Sequence, residues 1–403
     1  MKIAIIGAGA SGIIAAIEAS KHSNIVVDLF EKNSAVGKKI LASGNGRCNI
    51  SNSNLCEDSY ICENHELIRS TIELFDFEKF EKYFKNLALL VDTKDDGRSY
   101  PLSNEASSVV LALTSALKNI NILTNTTITK ITKNKKFTIH TEEKEFTDYD
   151  KVVISSGSQA APTLGSCSDG YEFASYFKHT IMPTYPSLVG LHLNTKVHAK
   201  LSGVKVNAKA KLFINGVESD STIGDVLFTK YGLSGFAILD ISQKASLGLL
   251  NHDRVQIALN MVINFTRSQL SSYISSQTKL TPTLNILTLL SGVISVKFSK
   301  VLLDFLEINY NEQIATLNSK SIKKIINHLQ DWRFDVTQTH GFKHAEVSGG
   351  GVSSHEVTNN FESKLVKNLF FSGEVLDVLG KRGGYNLHFA FASGYIVGNH
   401  ITK

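Results

Sequence analysis

The sequence predicts an α/β protein in which a Rossmann-like nucleotide-binding domain is followed by an antiparallel β region and a small helical region. At the N terminus, the stretch KIAIIGAGASGIIAAIEAS is typical of a buried strand, a glycine turn and a helix. From Met182 onward, alternating segments such as KVNAKAKLFING and GDVLFTKY, with a turn at Asn215-Gly216, predict antiparallel strands. A capping box at Thr266 and amphipathic segments such as KSIKKIINHLQ then indicate helices, and Thr281-Pro282 predicts a further helix start.

The first turn carries the glycine spacing G-x-G-x-x-G at Gly7, Gly9 and Gly12. Gly7 permits the tight turn, Gly9 lets the backbone approach a pyrophosphate, and Gly12 lets the helix lie close to the strand. We expect the phosphates at the N terminus of that helix, beside Ala10 and Ser11. Unpaired N–H groups and the positive end of the helix dipole favour an anion there.

Glu31 closes the second strand, IVVDLFEK, about 20 residues beyond the glycines, and Lys32 follows it. A carboxylate at this place can accept hydrogen bonds from both hydroxyls of an adenosine ribose, and it disfavours a 2′-phosphate. The order of strand, turn, helix, strand and acid therefore predicts a dinucleotide site. The alternative, an α/β turn that binds no phosphate, leaves Glu31 unexplained.

The composition is typical of a globular protein without membrane spans, metal sites or disulfides. The chain has 403 residues, 42% of them hydrophobic, and it lacks the run of about 18 apolar residues that spans a membrane. The first strand begins at the N terminus, so a cleaved leader would remove the nucleotide site, and we expect a cytoplasmic protein. The cysteines, at 48, 56, 62 and 167, show no metal-ligand spacing, so neither a metal nor a disulfide is expected. A net charge of +5 spread along the chain argues weakly for nucleic acid and does not exclude it.

A second polar, glycine-rich segment, KNSAVGKKILASGNGRCNISN, follows Glu31. Its run Ser43-Gly44-Asn45-Gly46 offers successive backbone N–H groups. Lys39 and Arg47 supply positive charge for a phosphate or for an electron-rich ring edge. The alternative is a surface loop built from turn residues.

With this segment the chain resembles the glutathione-reductase-type FAD-binding flavoproteins, and specifically the HI0933-like (YhiN/BaiN-like) family of NAD(P)/FAD-dependent oxidoreductases. The family's S-G-N-G-R-C-N-x-[ST]-N motif stands at Ser43 to Asn52. Later segments agree with the resemblance: DGRSYPLSNEAS (Asp96 to Ser107), PSLVGL (Pro186 to Leu191), FTKYGLSGFAIL (Phe228 to Leu239), AEVSGGGV (Ala345 to Val352) and LFFSGEVLDVLGKRGGYNLHFAFASGYIVG (Leu369 to Gly398).

The resemblance implies FAD as the cofactor and a set of residues around it. Ile128 is placed like a residue whose backbone meets the adenine, Gly157 like a turn that passes over the cofactor, and Glu374 like an acid that binds the ribityl chain. The helix that opens at Gly384 can point its N terminus at the flavin N1–C2=O edge. The implied FAD-binding residues are Gly7, Gly9, Ala10, Ser11, Gly12, Glu31, Lys32, Lys39, Gly44, Asn45, Gly46, Arg47, Cys48, Ile128, Gly157, Gly373, Glu374, Gly384, Tyr385, Asn386 and Leu387.

Parts of one site then lie at both ends of the chain, so the FAD-binding domain is predicted to be discontinuous. We expect its first part at 1–183, an inserted antiparallel β domain at 184–264, a helical subdomain at 265–332 and its second part at 333–403. We also expect the loop Ser43 to Asn52 and the turn Gly383 to Leu387 to form one flavin-ring pocket.

The resemblance implies an FAD-dependent oxidoreductase that transfers hydride between the flavin and a small or steroid-like substrate, such as an enone or an amine. Only one dinucleotide fingerprint is present, so an NAD(P)H donor would dock transiently or bind elsewhere. His340, His344, His355 and His388 are candidate acid/base groups, and no catalytic residue is assigned. Cys48 is either a redox thiol or a packed cysteine. Two alternatives remain open, a flavoprotein that acts on or with RNA and a non-catalytic flavin-binding protein; the oligomeric state is not predicted.

Overall fold

The computed structural model describes residues 1–402, which form two compact units: Met1–Tyr185 together with 347–402, and Pro186–Glu346. The strands, numbered in chain order, are β1 (Lys2–Ile6), β2 (Val26–Phe30), β3 (Ser51–Asn52), β4 (Tyr60–Ile61), β5 (Val91–Thr93), β6 (Arg98–Pro101), β7 (Ile120–Leu123), β8 (Lys130–Lys133), β9 (Phe137–His140), β10 (Glu145–Tyr149), β11 (Lys151–Ile154), β12 (Ile181–Ser187), β13 (Leu191–Leu193), β14 (Lys205–Ile214), β15 (Val217–Phe228), β16 (Gly232–Ser234), β17 (Val255–Asn260), β18 (Trp332–Thr339), β19 (Val347–Val352), β20 (Leu369–Phe371) and β21 (Leu379–Gly380).

The α-helices are α1 (Ala10–Ala19), α2 (Lys38–Ala42), α3 (His65–Leu74), α4 (Phe77–Asn86), α5 (Ala106–Ser115), α6 (Asp169–Tyr176), α7 (Val197–Lys200), α8 (Phe236–Leu250), α9 (Arg267–Leu280), α10 (Ile286–Ser291), α11 (Val296–Leu306), α12 (Ser319–Gln330) and α13 (Tyr385–His400). Short 3-10 helices cover Ser43–Gly46, Glu57–Ser59, Pro162–Leu164, Ile314–Thr316, Phe342–His344, Ser354–Glu356 and Gly373–Val375.

The first unit is organised around a parallel sheet with the strand order β20-β11-β1-β2-β7. The central strands β1 and β11 are almost wholly buried, as expected for a parallel sheet that is covered on both faces. α1 packs against α13 at glycines: a Cβ on Gly394 would lie 2.3 Å from the Ser11 carbonyl oxygen, and one on Gly398 would lie 2.7 Å from that of Ala15. The N-terminal and C-terminal segments therefore share one layer, which confirms the predicted Rossmann-like fold.

Smaller sheets complete the first unit. They have the strand orders β10-β9-β8, β3-β6-β5 and β21-β4, and β12 pairs with β19. Aromatic side chains of α4 and of Phe75, the residue that follows α3, are packed in the same core, with Phe75, Phe80 and Phe84 fully buried.

The second unit contains a closed barrel with the strand order β13-β16-β15-β14-β17-β18, so the predicted antiparallel β region is confirmed. β14 and β15 form its long hairpin. Asn215 and Gly216 connect them with φ values of 51° and 83°, the left-handed conformation that a two-residue hairpin turn requires.

Three predicted boundaries are wrong. Residues 333–346 belong to the second unit, because β18 pairs with β17 and β13 and closes the barrel. The helical segment is not separate from the β region, since Phe228 of β15, Phe298 of α11 and Trp332 of β18 lie in one core with α8, which the β prediction missed. Thr281-Pro282 does not start a helix: Thr281 is the C-cap of α9, and the next helix begins at Ile286 with Asn285 as its N-cap.

Candidate cofactor-binding site

In the glycine turn after β1, a side chain would have room at Gly9 but not at Gly7 or Gly12. Gly7 has φ 104°, and a Cβ there would lie 2.6 Å from the carbonyl oxygen of Ser155, while a Cβ on Gly12 would lie 1.9 Å from that of Gly7. Nothing lies within 4 Å of a Cβ built on Gly9. α1 begins at Ala10 without a side-chain cap, so the turn offers an open cradle at a helix N terminus, where an anion is favoured.

Ser155, which follows β11, contacts this turn and was not predicted from the sequence. Its hydroxyl donates to the carbonyl oxygens of Ile6 and Gly7, at 2.9 Å and 3.0 Å. These bonds hold the end of β1 against the end of β11. A serine at the end of the parallel strand adjacent to β1 was the available signal.

The carboxylate of Glu31 is held at the glycine turn. It accepts hydrogen bonds from the amide N–H of Ala8 at 3.0 Å, and from the backbone and side-chain nitrogens of Asn33 at 2.8 Å and 2.7 Å. Glu31 is only 8% exposed. Two carboxylate oxygens offer about four acceptor sites, and three are used, so the geometry leaves Glu31 able to accept a further hydrogen bond. Lys32, the next residue, is half-buried.

Ile128 and Gly157 lie on two segments beside this turn. Ile128 is 6% exposed and lies between β7 and β8, and its segment is joined to Glu31 by a 2.9 Å bond from the Thr126 amide to the Glu31 carbonyl oxygen. Gly157 follows β11 with φ 77°, and nothing lies within 4 Å of a Cβ built there. The open space at Gly157 is of the same kind as that at Gly9.

Lys39 and Glu374, 335 residues apart, form an ion pair with Nζ 2.8 Å from Oε2. The second carboxylate oxygen accepts from the Ser348 amide at 2.9 Å. The preceding residue, Gly373, has φ 73°, and a Cβ there would lie 2.5 Å from the hydroxyl of Ser11 on α1. Both charges were expected at the site from the sequence, but their mutual neutralisation was not.

The loop Ser43 to Asn52 and the turn Gly383 to Leu387 are in contact. The Asn52 side-chain amide donates to the Gly383 carbonyl oxygen at 2.9 Å. A Cβ on Gly384 would lie 2.1 Å from the Ser51 carbonyl oxygen, so only glycine fits there. Asn49 Oδ1 is buried beside Gly384 and has no hydrogen-bond partner among residues 1–402. Such an atom is costly unless a bound molecule satisfies it, and the sequence analysis missed Asn49 although it stands inside the quoted motif.

The loop itself has an unusual backbone. Gly44, Asn45 and Gly46 have φ values of 58°, 55° and 83°, so three successive residues are left-handed. Nothing lies within 4 Å of a Cβ on Gly46. Arg47 is exposed, and its guanidinium carbon lies 5.6 Å from the centre of the Tyr100 ring.

Cys48 is fully buried behind this loop. Burial raises the pKa of its thiol to about 12, and a hydrogen bond with Ser43 only partly offsets that effect. The thiol is therefore protonated at neutral pH. This supports the packed-cysteine alternative, because the thiolate is the reactive form.

The C-terminal helix α13 begins at Tyr385 after Gly384, which has φ 100°, and it has no side-chain cap. The Asn386 side chain accepts from the Gly380 amide at 2.9 Å and donates to the Gly380 carbonyl oxygen at 2.8 Å, so it holds β21 in place. The Tyr385 hydroxyl donates to the Asn54 carbonyl oxygen at 3.3 Å, and Leu387 is half-buried. The N–H groups of the first turn remain available at this end.

Of the four candidate acid/base histidines, His355 and His388 lie in the first unit, and His340 and His344 lie in the second. His388 is not a free acid/base group: its Nε2 donates to the Phe75 carbonyl oxygen at 3.0 Å, and its Nδ1 therefore accepts from the Ser51 hydroxyl at 2.8 Å. Burial lowers its pKa to about 4. His355 is exposed, 4.0 Å from Glu63.

Within residues 1–402 we find no group of His, Cys, Asp and Glu side chains that could hold a metal ion. No helix in the same range has the length and apolar character needed to cross a bilayer. The open spaces at Gly9 and Gly157, the available acceptor on Glu31 and the unsatisfied Asn49 oxygen all fit an extended dinucleotide cofactor.

The sequence is similar to those of known proteins. The profile described as HI0933-like protein Rossmann domain matches residues 1–400. The 3-dehydro-bile acid delta(4,6)-reductase of Clostridium scindens is 31% identical over 407 residues, which cover 100% of this chain and 99% of that protein. The ribosomal RNA dihydrouridine synthase of Haemophilus influenzae is 25% identical over 415 residues, which cover 99% of this chain and 98% of that protein.

A solved structure shares the fold. The 3-ketosteroid-delta4-(5alpha)-dehydrogenase from Rhodococcus jostii RHA1 superposes with a TM-score of 0.52 at 11% identity, covering 100% of this chain and 96% of that chain. At that identity the likeness concerns the fold alone.

Proposed function

Because the chain belongs to the HI0933-like family of FAD-dependent oxidoreductases, we propose that it reduces a carbon–carbon double bond conjugated to a carbonyl group in a small organic substrate. The observation that carries the proposal is the 31% identity, along the full length of both chains, to a 3-dehydro-bile acid delta(4,6)-reductase.

The names of the two relatives imply the same chemistry. A 3-dehydro bile acid with Δ4,6 double bonds contains a ketone in conjugation with those bonds. Uridine is converted to dihydrouridine by saturation of a double bond that is conjugated to a ring carbonyl. In both cases a hydride adds to an electron-poor carbon and a proton completes the reduction, so one site chemistry serves either substrate.

We propose that FAD is bound by the residues described above. The turn at Gly9 and the N terminus of α1 would hold the pyrophosphate, Glu31 the adenosine ribose, and the segment of Ile128 the adenine. Glu374, oriented by Lys39, would reach the ribityl chain. The remaining proposed contacts lie around the ring: Gly44, Asn45, Gly46, Arg47, Cys48, Asn49, Gly157, Gly384, Tyr385, Asn386 and Leu387. When bound, FAD supplies two-electron hydride chemistry, while the protein orients and tunes it.

The chain's own groups favour a reduced, anionic ring in this arrangement. The N terminus of α13 contributes unpaired N–H groups and the positive end of its dipole. Arg47 adds a positive charge on the facing loop. We propose NAD(P)H as the hydride donor. It would dock only transiently, because the sequence carries a single G-x-G-x-x-G fingerprint and FAD would occupy it.

A second candidate is reduction of uridine in RNA. It is favoured by one specific observation, the 25% identity over 99% of this chain to a ribosomal RNA dihydrouridine synthase. The lower identity and the modest net charge of +5 place it behind the small-molecule substrate.

The test is reoxidation of the reduced protein under anaerobic conditions. We would reduce the bound flavin with dithionite, remove the excess, and add either a 3-dehydro-Δ4,6 bile acid or an unmodified ribosomal RNA fragment. Return of the oxidised flavin spectrum together with a product that has gained two hydrogens is expected for the bile acid. Turnover of the RNA alone would favour the second candidate, and reoxidation by neither would contradict both.

A further inference from the structure

The first unit contains a carboxyl group, that of Asp377, which the proposed cofactor contacts do not use. Asp377 stands between two of the proposed cofactor segments. It follows Glu374 by three residues, and β21, which leads into the turn at Gly384, begins two residues after it. Its backbone amide donates to the Val352 carbonyl oxygen at 2.9 Å, so it lies beside β19. The side chain is half-buried.

The strand β19 aligns Asp377 with Glu374. The Ser348 amide donates to Glu374 Oε1 at 2.9 Å, and the amide of Gly350, two residues further along β19, donates to Asp377 Oδ1 at 3.1 Å. The two carboxyl groups therefore lie along one edge of the same strand. A protonated carboxyl group accepts through one oxygen and donates through the other, so the bond to Oδ1 is compatible with a proton on Oδ2.

Two tyrosine rings lie beside this carboxyl group. A Cβ on Gly349 would lie 2.2 Å from Tyr185 Cζ, and one on Gly351 would lie 3.3 Å from Tyr171 Cε1, so these glycines make room for both rings. Burial raises the pKa of both tyrosine hydroxyls, and the nearby charge of Asp377 adds to the effect.

The Tyr171 hydroxyl indicates that a ligand approaches here. Tyr171 is 6% exposed, and its hydroxyl lies near Ser348, Glu374 and Asp377. It nevertheless makes no hydrogen bond of good geometry within residues 1–402. A buried hydroxyl without a partner is costly unless a bound molecule satisfies it.

Asp377 has the acidity of a proton donor. Burial raises its pKa to about 6; the Gly350 amide partly offsets that effect, and the charge of Glu63 adds to it. A carboxyl group with a pKa near the working pH can give up a proton and regain one from water. The other titratable groups that face it are neutral near that pH, because burial raises their pKa: Cys62, Tyr171 and Tyr185.

We propose that Asp377 is the acid that protonates the carbon next to the carbonyl group when the conjugated double bond is reduced. This inference rests on the proposed function. Addition of hydride to the far carbon breaks the C=C π bond and moves an electron pair onto the carbonyl oxygen. The hydride comes from the reduced flavin, which is thereby oxidised. When the pair returns to re-form the carbonyl group, the adjacent carbon takes the proton from Oδ2 of Asp377, and the carboxylate regains a proton from water.

The first test follows this carboxyl group in the oxidised holoenzyme and does not depend on turnover. With aspartate ¹³C-labelled at the side-chain carboxyl, one NMR signal should titrate near pH 6 and be absent from Asp377→Asn. Glu63→Gln removes the neighbouring charge from an exposed side chain, so it should move this titration to lower pH. A saturated 3-oxo bile acid should move it to higher pH, because a bound ligand removes water from the carboxyl group.

The second test is the pH dependence of reoxidation of the reduced protein by the 3-dehydro-Δ4,6 bile acid. The wild-type rate should fall by about tenfold per pH unit above the pKa of Asp377, because only the protonated form donates. Asp377→Asn keeps an acceptor for the Gly350 amide and loses the proton. We expect it to be roughly 10²-fold slower at pH 6 and to lack this pH dependence, with unchanged flavin content.

The control is Asp92→Asn, which removes an exposed partner of Lys94 in the same unit and should be reoxidised like the wild type. If Asp377→Asn reacts as fast as the wild type at every pH, the assignment of Asp377 is overturned and the proposed function stands. The same holds if the bound probe leaves the Asp377 signal unmoved while the wild type reacts. If the wild type itself is not reoxidised by the conjugated ketone, the proposed function fails and this inference fails with it.

Discussion

The Asn52 side-chain amide donates a 2.9 Å hydrogen bond to the carbonyl oxygen of Gly383, 331 residues later in the chain. Asn52 is 3% exposed, and its own oxygen accepts from the Asn54 amide at 2.9 Å. Both polar ends of this buried side chain are thus engaged: the nitrogen joins the loop to the turn, and the oxygen orders the chain just after Asn52. Gly383 has φ 131°, so the turn it belongs to depends on glycine as well as on this bond.

Exchanging Asn52 for aspartate should therefore separate the loop from the turn. Asn52→Asp places a carboxylate oxygen against the Gly383 carbonyl oxygen, and a lost, unreplaced buried hydrogen bond costs about 1–3 kcal/mol. We expect the free energy of unfolding, measured with urea, to fall by that amount and FAD affinity to fall with it. Asn54→Asp, at an exposed residue just after the loop, is the matched control. Equal stability of Asn52→Asp and the wild type would show that the bond does not hold the two segments.

The glycine turn allows a prediction that separates folding from cofactor binding. Gly9→Ala adds a methyl group into open space, so the apoprotein should unfold at the wild-type urea concentration while FAD binding weakens by 10-fold or more, roughly. Gly7→Ala adds a methyl group 2.6 Å from the Ser155 carbonyl oxygen at φ 104°, so it should destabilise the apoprotein. A Gly9→Ala protein that binds FAD normally would mean that the pyrophosphate does not lie at this turn.

The negative charge of Glu31 should contribute to the affinity for FAD. Glu31→Gln keeps the shape of the side chain but turns an NH₂ group toward N–H groups that now donate to the carboxylate. It also removes the charged hydrogen bond that the carboxylate would make to a ribose hydroxyl. We expect FAD binding to weaken by about 1.5–3 kcal/mol, measured by titrating apoprotein with FAD and following the quenching of flavin fluorescence. Glu218→Gln, which removes an exposed partner of Lys211 in the second unit, is the control. Unchanged affinity in Glu31→Gln would place the ribose elsewhere.

His388 gives the stability a defined pH dependence. Its folded-state pKa is lowered to about 4, whereas an unfolded histidine has a pKa near 6.5, so between these values the unfolded chain binds one more proton than the folded chain. The free energy of unfolding should therefore fall as the pH is lowered through this window, by roughly 1.4 kcal/mol per pH unit from this group. Below about pH 4 the contribution no longer changes.

The measurement is urea unfolding of the apoprotein at several pH values from neutral to about 4. The difference between wild type and His388→Gln isolates this group, because the other titrating side chains, including His179, are present in both proteins. We expect the variant to be less stable at neutral pH and its curve to be flatter. Parallel curves would show that His388 is not the group responsible.

Local chemistry explains which features the sequence predicts. The glycine turn, the acid at the end of β2, the Asn215-Gly216 hairpin turn and the Thr266 capping box each depend on residues within a few positions of one another. Backbone sterics and capping decide such features, and both can be read from a short window. The resemblance to a family then added the parts of the site that are distant in sequence.

Features that depend on tertiary packing were not predictable in the same way. Nothing near Lys39 or Glu374 in the sequence indicates that they pair across 335 residues. The end of the second unit was misplaced because β18 has alternating apolar residues that would suit either unit, and only its pairing with β13 and β17 decides the matter. α8 was missed because it is apolar on most of its surface, so its helical period is weak.

The last prediction concerns the redox potential of the flavin. If the loop that carries Arg47 flanks the ring, its positive charge stabilises the reduced, anionic form, and Arg47→Ala should make reduction harder. The side chain is exposed, so screening limits the effect to a few tens of millivolts, where about 30 mV corresponds to 1.4 kcal/mol for a two-electron couple.

Asn386→Ala should also shift the potential to more negative values, because it frees Gly380 and loosens the start of α13. Spectroelectrochemical titration of both variants is the measurement, with Arg69→Ala, an exposed arginine paired with Glu57, as the control. Two variants that keep FAD and the wild-type potential would show that neither the loop nor the helix lies at the ring.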